Sequence, residues 1–237
     1  MKIQFTTNNK LAELDFKPIP SKKFIPEWYK NMSLHLEGMD KSNAKELVSS
    51  NAKTTFTIKG CTPVLDYITS GYILISHSDI LITPEISEDK KSKSYWWRSN
   101  TSEIESHGHQ QCPVKINNFK NEYFKFINPW SIKTPKGYSC LFYQPEYFME
   151  TKYKLLPAIV DTDGYIEPVN FPGVILSNES FTIKAGDPIM AVFPFKRDDW
   201  ESEIRLKTEE EMQQPNRVMS YLERGYKNLF HNRKSYD

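Results

Sequence analysis

One short run of this sequence brings acid, turn and aromatic residues together: Asp161-Thr162-Asp163-Gly164-Tyr165. Asp161 directly follows an apolar run, residues 155–160, broken only by Pro157. A carboxylate that emerges where such a run ends can accept hydrogen bonds from a ligand or take a proton from water, and rigid scaffolds present reactive groups at strand ends. Tyr165 adds a flat ring of the kind that ligand pockets combine with a few polar groups. Asp161 is the candidate catalytic residue, and Asp163, Tyr165, Trp96 and Trp97 are the candidate ligand contacts. The plainer reading is a turn, in which Asp161 accepts a backbone N–H from Asp163 or Gly164.

The second constellation is His107-Gly108-His109. Imidazoles two residues apart can both reach one metal ion, with Glu105 or a distant acid such as Asp161 as a third ligand. The dense Ser, Gln and Asn around them favour a plain polar loop. Cys61, Cys112 and Cys140 are odd in number, widely spaced and form no Cys-x-x-Cys pair. That spacing indicates neither a structural zinc site nor a disulfide framework, and it suits a reducing, cytoplasmic setting. Cys140 sits in an apolar run, where a thiol behaves as a small hydrophobe. No Gly-x-Ser-x-Gly elbow, phosphate-binding loop or dinucleotide glycine motif occurs, and no cofactor is indicated.

Charge narrows the partners. Among 237 residues, 31 Lys and Arg stand against 30 Asp and Glu, so no net field draws the chain to nucleic acid or to an anionic membrane. The aromatic-basic runs Trp96-Trp97-Arg98 and Phe119-Lys120 can stack bases in principle, but without net positive charge the expectation is no nucleic acid partner. No apolar run approaches the about 20 residues of a membrane span, and the expectation is no membrane association. A small polar ligand and a second copy of the chain remain as partners.

The elements that must position these residues follow from periodicity and punctuation. Aromatic content of 14% and 15 prolines point to a β-rich fold with rigid turns. Apolar–polar alternation over residues 1–17 predicts an edge strand or two. Pro18, Pro20 and Pro26 make an extended arm, and Pro26 opens a short helix whose Trp28 and Tyr29 act as packing anchors. A short helix is expected near residues 44–49. Another runs from Thr62 or Pro63 to about Ser70, stopped by Gly71. Strands follow at 72–76 and 80–83, then a charged excursion over 85–94, a strand at 95–98 and a polar loop over 99–113. Turn signals then divide residues 132–195 into strands at Tyr138–Tyr143, 155–160, 174–176, Phe181–Ile183 and 189–193. These strands should share one core, with Leu141, Ile159, Val174, Ile183 and Val192 buried. A stripe of Val218, Leu222, Tyr226 and Leu229 predicts a C-terminal surface helix, docked on the core or on another subunit. The whole reads as one domain: an N-terminal arm with helices (1–54), a β-rich body (55–200) and a helical extension (201–237).

The runs AIVDTDGYIEP, VILSN and ESFTIKAGDPIMAVF resemble the β-clip fold of the trimeric dUTPases and their dCTP deaminase relatives. Over that quarter of the chain the resemblance implies a mainly β, β-clip-like barrel or twisted sandwich. It also implies that Asp161 stands where the family has its water-activating acid, and Tyr165 where it has the aromatic beside the sugar. The chain departs from the family elsewhere. Gln144-Pro145-Glu146-Tyr147 replaces the Arg-bearing phosphate motif, Ala191 stands near the expected glutamine, and the glycine-rich tail is missing. These departures predict that dUTP is not hydrolysed. Over residues 18–200 the runs PEWYKNM, GCTPVLDYITSGYILI and TPKGYSCLFYQP resemble an uncharacterised family of bacterial and phage proteins, which implies no mechanism. Two readings follow. One is a β-clip-like protein that holds a small nucleotide-type ligand beside Asp161 and Tyr165. The other is a non-catalytic structural or assembly protein of phage origin.

Overall fold

The computed structural model describes residues 1–37, 56–101, 103–111, 115–116, 119–212 and 225–237. The helix expected near residues 44–49, Cys112, Val218 and Leu222 lie outside them. The chain divides into two compact units. The first joins residues 1–21 to residues 71–197. The second joins residues 22–70 to residues 198–237.

Among the described residues, all sixteen strands belong to the first unit. They are β1 (Gln4–Thr6), β2 (Ile19–Pro20), β3 (Tyr72–Ile75), β4 (Ile80–Ile86), β5 (Ser92–Ser99), β6 (Ile104–His107), β7 (Lys115–Ile116) and β8 (Phe119–Asn121). Then come β9 (Tyr123–Phe126), β10 (Ser131–Lys133), β11 (Tyr138–Tyr143), β12 (Tyr153–Leu155), β13 (Ala158–Val160), β14 (Phe171–Ile175), β15 (Phe181–Ile183) and β16 (Pro188–Lys196). The fold is mainly β, with few and short helices. Three sheets form the body, ordered β13-β11-β16-β3-β2, β12-β14-β9-β6 and β15-β4-β5-β8-β7, and β1 pairs with β10. The pairings are antiparallel except β5 with β8.

The core lies among the three sheets and combines aromatic rings with Ile, Val and Leu. Tyr95 of β5 meets Phe124 of β9 edge-on, with ring centroids 6.1 Å apart, and Phe124 meets Tyr153 of β12 at 6.3 Å. Tyr153 stacks on Phe181 of β15 at 6.1 Å, and Phe142 of β11 lies 5.7 Å from Phe171 of β14. Rings offset or tilted in this way gain attraction beyond the area they bury. Gly173 on β14 allows this approach: a Cβ there would fall 2.6 Å from Cζ of Phe124.

Several strands stand where alternation placed them, including Tyr138–Tyr143 and Phe181–Ile183. Val174, Ile183 and Val192 are buried, while Leu141 is half-buried. The run 155–160 is corrected. Pro157 splits it into β12 and β13, which enter different sheets. The burial expected of Ile159 is also wrong: it is 65% exposed. β13 is an edge strand paired only with β11, and none of its three residues is buried. Near the N-terminus β1 is followed by a helix, α1 (Lys10–Asp15), where alternation suggested a second strand. Just before it, Thr7 accepts the backbone N–H of Asn9 at 3.0 Å, and the carbonyl of Asn9 accepts the first helical bond, from Glu13. The polar loop 99–113 contains β6, because Ile104 is drawn into the core opposite Phe126. Lys93, read as part of a charged tip, lies inside: β5 begins at Ser92 and turns this side chain inward with Tyr95.

The second unit holds α2 (Glu27–Asn31), α3 (Thr62–Thr69) and α4 (Gly225–Leu229). Tyr29 on α2 is buried, and α3 ends just before Gly71 as expected. Asp66 on α3 ties down the end of the chain through His231 at 3.1 Å and Lys234 at 2.5 Å. No helix among the described residues is long and apolar enough to cross a membrane.

Candidate functional site

The Asp161 turn is built by two neighbouring strands. β11 pairs with β13, setting Cys140 opposite Val160, so the chain leaves β13 at the Ser139 end of β11. The main-chain carbonyl of Asp161 then accepts from the N–H groups of Gly164 at 3.1 Å and Tyr165 at 3.0 Å. Thr162 is the plug of the turn. It is buried, its hydroxyl lies 2.8 Å from that of Thr134 and donates to Cys140 Sγ at 3.3 Å, and its carbonyl accepts from the N–H of Thr134. Burial pushes the Cys140 thiol above its ordinary pKa, so it stays a neutral packing group.

Alternation around Thr162 sends Asp161 and Asp163 outward, and one cation meets both. β16 pairs with β11 so that Lys196 faces Tyr138, which sets Arg197 beside Gly137. The backbone N–H of Arg197 reaches the carbonyl of Gly137 at 2.8 Å. The guanidinium forks onto Asp163, with Nη1 2.9 Å from Oδ1 and Nη2 against Oδ2, and Asp163 also accepts the N–H of Gly137 at 2.8 Å. The same Nη1 lies 3.0 Å from Oδ1 of Asp161 and 3.2 Å from Oγ of Ser139, and that hydroxyl donates to Asp161 at 2.7 Å.

The two aspartates differ in one respect that matters for chemistry. The Asp163 side chain is 12% exposed and that of Asp161 is 70% exposed. Asp163 is thus spent on the fold, while Asp161 is fixed on one oxygen and open on the rest. Asp161 does not cap its own turn, since its carboxylate bonds leave the turn for Ser139 and Arg197. Both carboxyls are held below the ordinary carboxylate range. For Asp161 the hydrogen bond from Ser139 leads and that from Arg197 follows; for Asp163 Arg197 leads. Tyr165 and Ile166 follow at the surface with 47% and 70% of their areas exposed.

The other candidates stand on other sheets. Trp96 and Trp97 lie on β5, where Trp96 points to solvent and Trp97 packs on Tyr95 at 5.8 Å. His107 ends β6, opposite Tyr123. None of Trp96, Trp97 and His107 bonds or stacks with the residues of the Asp161 turn. His109 lines a separate concavity of about 460 Å³ with Glu85, Lys93 and Glu122. Glu105, offered as a third metal ligand, is paired with Lys125 at 2.8 Å. Among the described residues no group of three His, Cys, Asp or Glu is placed to hold a metal ion.

Arg197 was missed in the sequence. It sits in a charged run just past a strand, and only the β11–β16 register reveals what it faces. Two buried charges were also missed. Glu103 is wholly buried. Its Oε1 accepts the backbone N–H of His77 at 2.7 Å and lies against Nδ1 of the same residue, while Ser76 and Ser78 donate to Oε2. Burial pushes this carboxyl up, but the bonds from His77 and Ser78 outweigh it and hold it low. Lys93 donates to the carbonyls of Leu176 and Ser177 and to Asn178 Oδ1, closing the turn between β14 and β15, and burial lowers its pKa. Both charges fasten loops to the body.

No family model and no curated protein matches the chain. Among solved structures it is similar to a dUTPase from phage phi11 of S. aureus, at 10% identity and a TM-score of 0.38, over 88% of this chain and 99% of that one. It is also similar to a dUTPase of Staphylococcus bacteriophage 80alpha carrying dUpNHpp, at 10% identity and a TM-score of 0.38, over 88% and 90%.

Proposed function

We propose that the chain binds a small polar ligand of nucleotide type at the Asp161 turn. One observation carries the reading: Asp161 is held at a strand end by Ser139 and Arg197 yet remains 70% exposed. A fixed, open carboxylate accepts hydrogen bonds from hydroxyls and N–H groups without paying to be ordered. Tyr165 and Ile166 offer apolar faces beside it, suited to a sugar or a base. Asp161, Asp163 and Arg197 together carry one net negative charge. The cluster therefore suits the sugar hydroxyls and base N–H groups of such a ligand, and does not attract its phosphates. Hydrolysis is not part of the proposal.

A panel of nucleosides and nucleotides, with and without Mg²⁺, tests it by thermal shift. A ligand at about 100 times its Kd stabilises the folded state by about 2.7 kcal/mol, a readily measured rise in melting temperature. At least one nucleoside or nucleotide is expected to give that rise, and Asp161→Asn is expected to remove it, measured against the variant's own unliganded melt. A panel without response, or a response that Asp161→Asn leaves intact, contradicts the proposal.

A further inference from the structure

Residues 200–207 read Trp-Glu-Ser-Glu-Ile-Arg-Leu-Lys, with charge on every odd-numbered position and none on the even-numbered ones. That is the period of a β-strand with one apolar face. The segment forms no helix and joins no sheet, and Trp200, Ile204 and Leu206 are 89%, 98% and 93% exposed. Large apolar side chains on a strand-patterned segment without a ladder mark an interaction site. The segment is sharply bounded. Arg197 is clamped at one end. At the other, Thr208 and Glu211 form a reciprocal capping box, with Glu211 accepting the N–H of Thr208 at 2.8 Å and Thr208 Oγ1 accepting the N–H of Glu211 at 3.3 Å.

The charge order shows what fits this edge. Glu201 and Glu203 come first, and Arg205 and Lys207 follow. Laid antiparallel on its own copy with Ile204 facing Ile204, the segment sets Glu201 opposite Lys207 and Glu203 opposite Arg205, in both directions. Four opposite-charge pairs form and no like charges meet. A parallel pairing in register opposes every charge to its like. An antiparallel slip of two residues sets Glu203 against Glu203 or Arg205 against Arg205. Direct cross-strand pairs of this kind stabilise a ladder when opposite in sign and destabilise it when alike. Arg205 holds Glu211 within its own chain at 2.6 Å, but that pair is exposed and is exchanged at little cost.

We infer that residues 200–207 are a self-complementary strand through which two copies of the chain pair about a two-fold axis centred on Ile204. This does not require a ligand at the Asp161 turn.

Sedimentation of the full chain tests it. The wild type is expected to form a concentration-dependent dimer. Glu201→Lys with Glu203→Lys makes the arm wholly basic, and Arg205→Glu with Lys207→Glu makes it wholly acidic. Each double variant should melt like the wild type and self-associate on the order of a hundredfold more weakly. An equimolar mixture of the two should recover the dimer, because opposite arms then meet. A wild type that stays monomeric overturns the inference. So do variants that dimerise as the wild type does, or a mixture that stays monomeric.

Discussion

At the scale of single residues, the molecule separates charges that hold the fold from one that is open to use. Glu103 belongs to the first group. It has no solvent to fall back on, so Glu103→Gln leaves donors from His77 and Ser78 facing a weaker acceptor. We expect a loss of about 3 kcal/mol by chemical denaturation, against a few tenths for Ile159→Ser at the exposed edge. Asp161 and Asp163 set the acid response. Their carboxyls stay charged in the folded state at a pH where the unfolded chain already takes up protons. Their contribution is thus complete above about pH 4 and disappears as pH falls through the lowered folded values. Melting temperature should drop on acidification below that point, and Arg197→Met should make the drop shallower by removing the cation that both acids face. An unchanged acid limb in the variant would show that Arg197 does not hold them.

At the scale of elements, the strands were legible where turn residues bracket an apolar run, as at Tyr138–Tyr143 and Phe181–Ile183. Which sheet each strand joins was not legible, because pairing depends on partners far away in the chain. Ile159 shows the consequence: its own run looks like core, and only its place at a sheet edge makes it surface. The site was half legible for the same reason. Asp161 and Asp163 lie in a local turn, whereas Arg197 reaches them only through the β11–β16 register. Glu103 and Lys93 gave no signal, since the sequence does not show that a charged side chain will find buried partners. The same distant pairing sets the tolerance of the glycines. Gly71 has φ +75°, and a Cβ there would lie 2.2 Å from the carbonyl oxygen of Val192 on β16. Gly137 has φ +84° with open space around it. Gly71→Ala should therefore cost at least about 3 kcal/mol and Gly137→Ala about 1 kcal/mol, measured as denaturation midpoints. Equal costs would mean that the Val192 contact does not constrain the fold.

At the scale of the molecule, the first unit carries the β body, α1 and the Asp161 turn, and the second holds α2, α3, α4 and the end of the chain. In the second unit Asp66 receives both His231 and Lys234. Asp66→Ala should raise amide exchange across residues 231–237 and leave exchange in the strands of the first unit unchanged. Near-balanced charge leaves local clusters, rather than a global field, to select partners. The central claim is that one such cluster, around Asp161, is a ligand site. Calorimetric titration of the nucleoside or nucleotide that gives the largest thermal shift, into wild type and Asp161→Asn side by side, tests it most directly. Saturable heat with the wild type and none with the variant, both folded at the temperature of the titration, is the expected result; the same affinity in both proteins would contradict it.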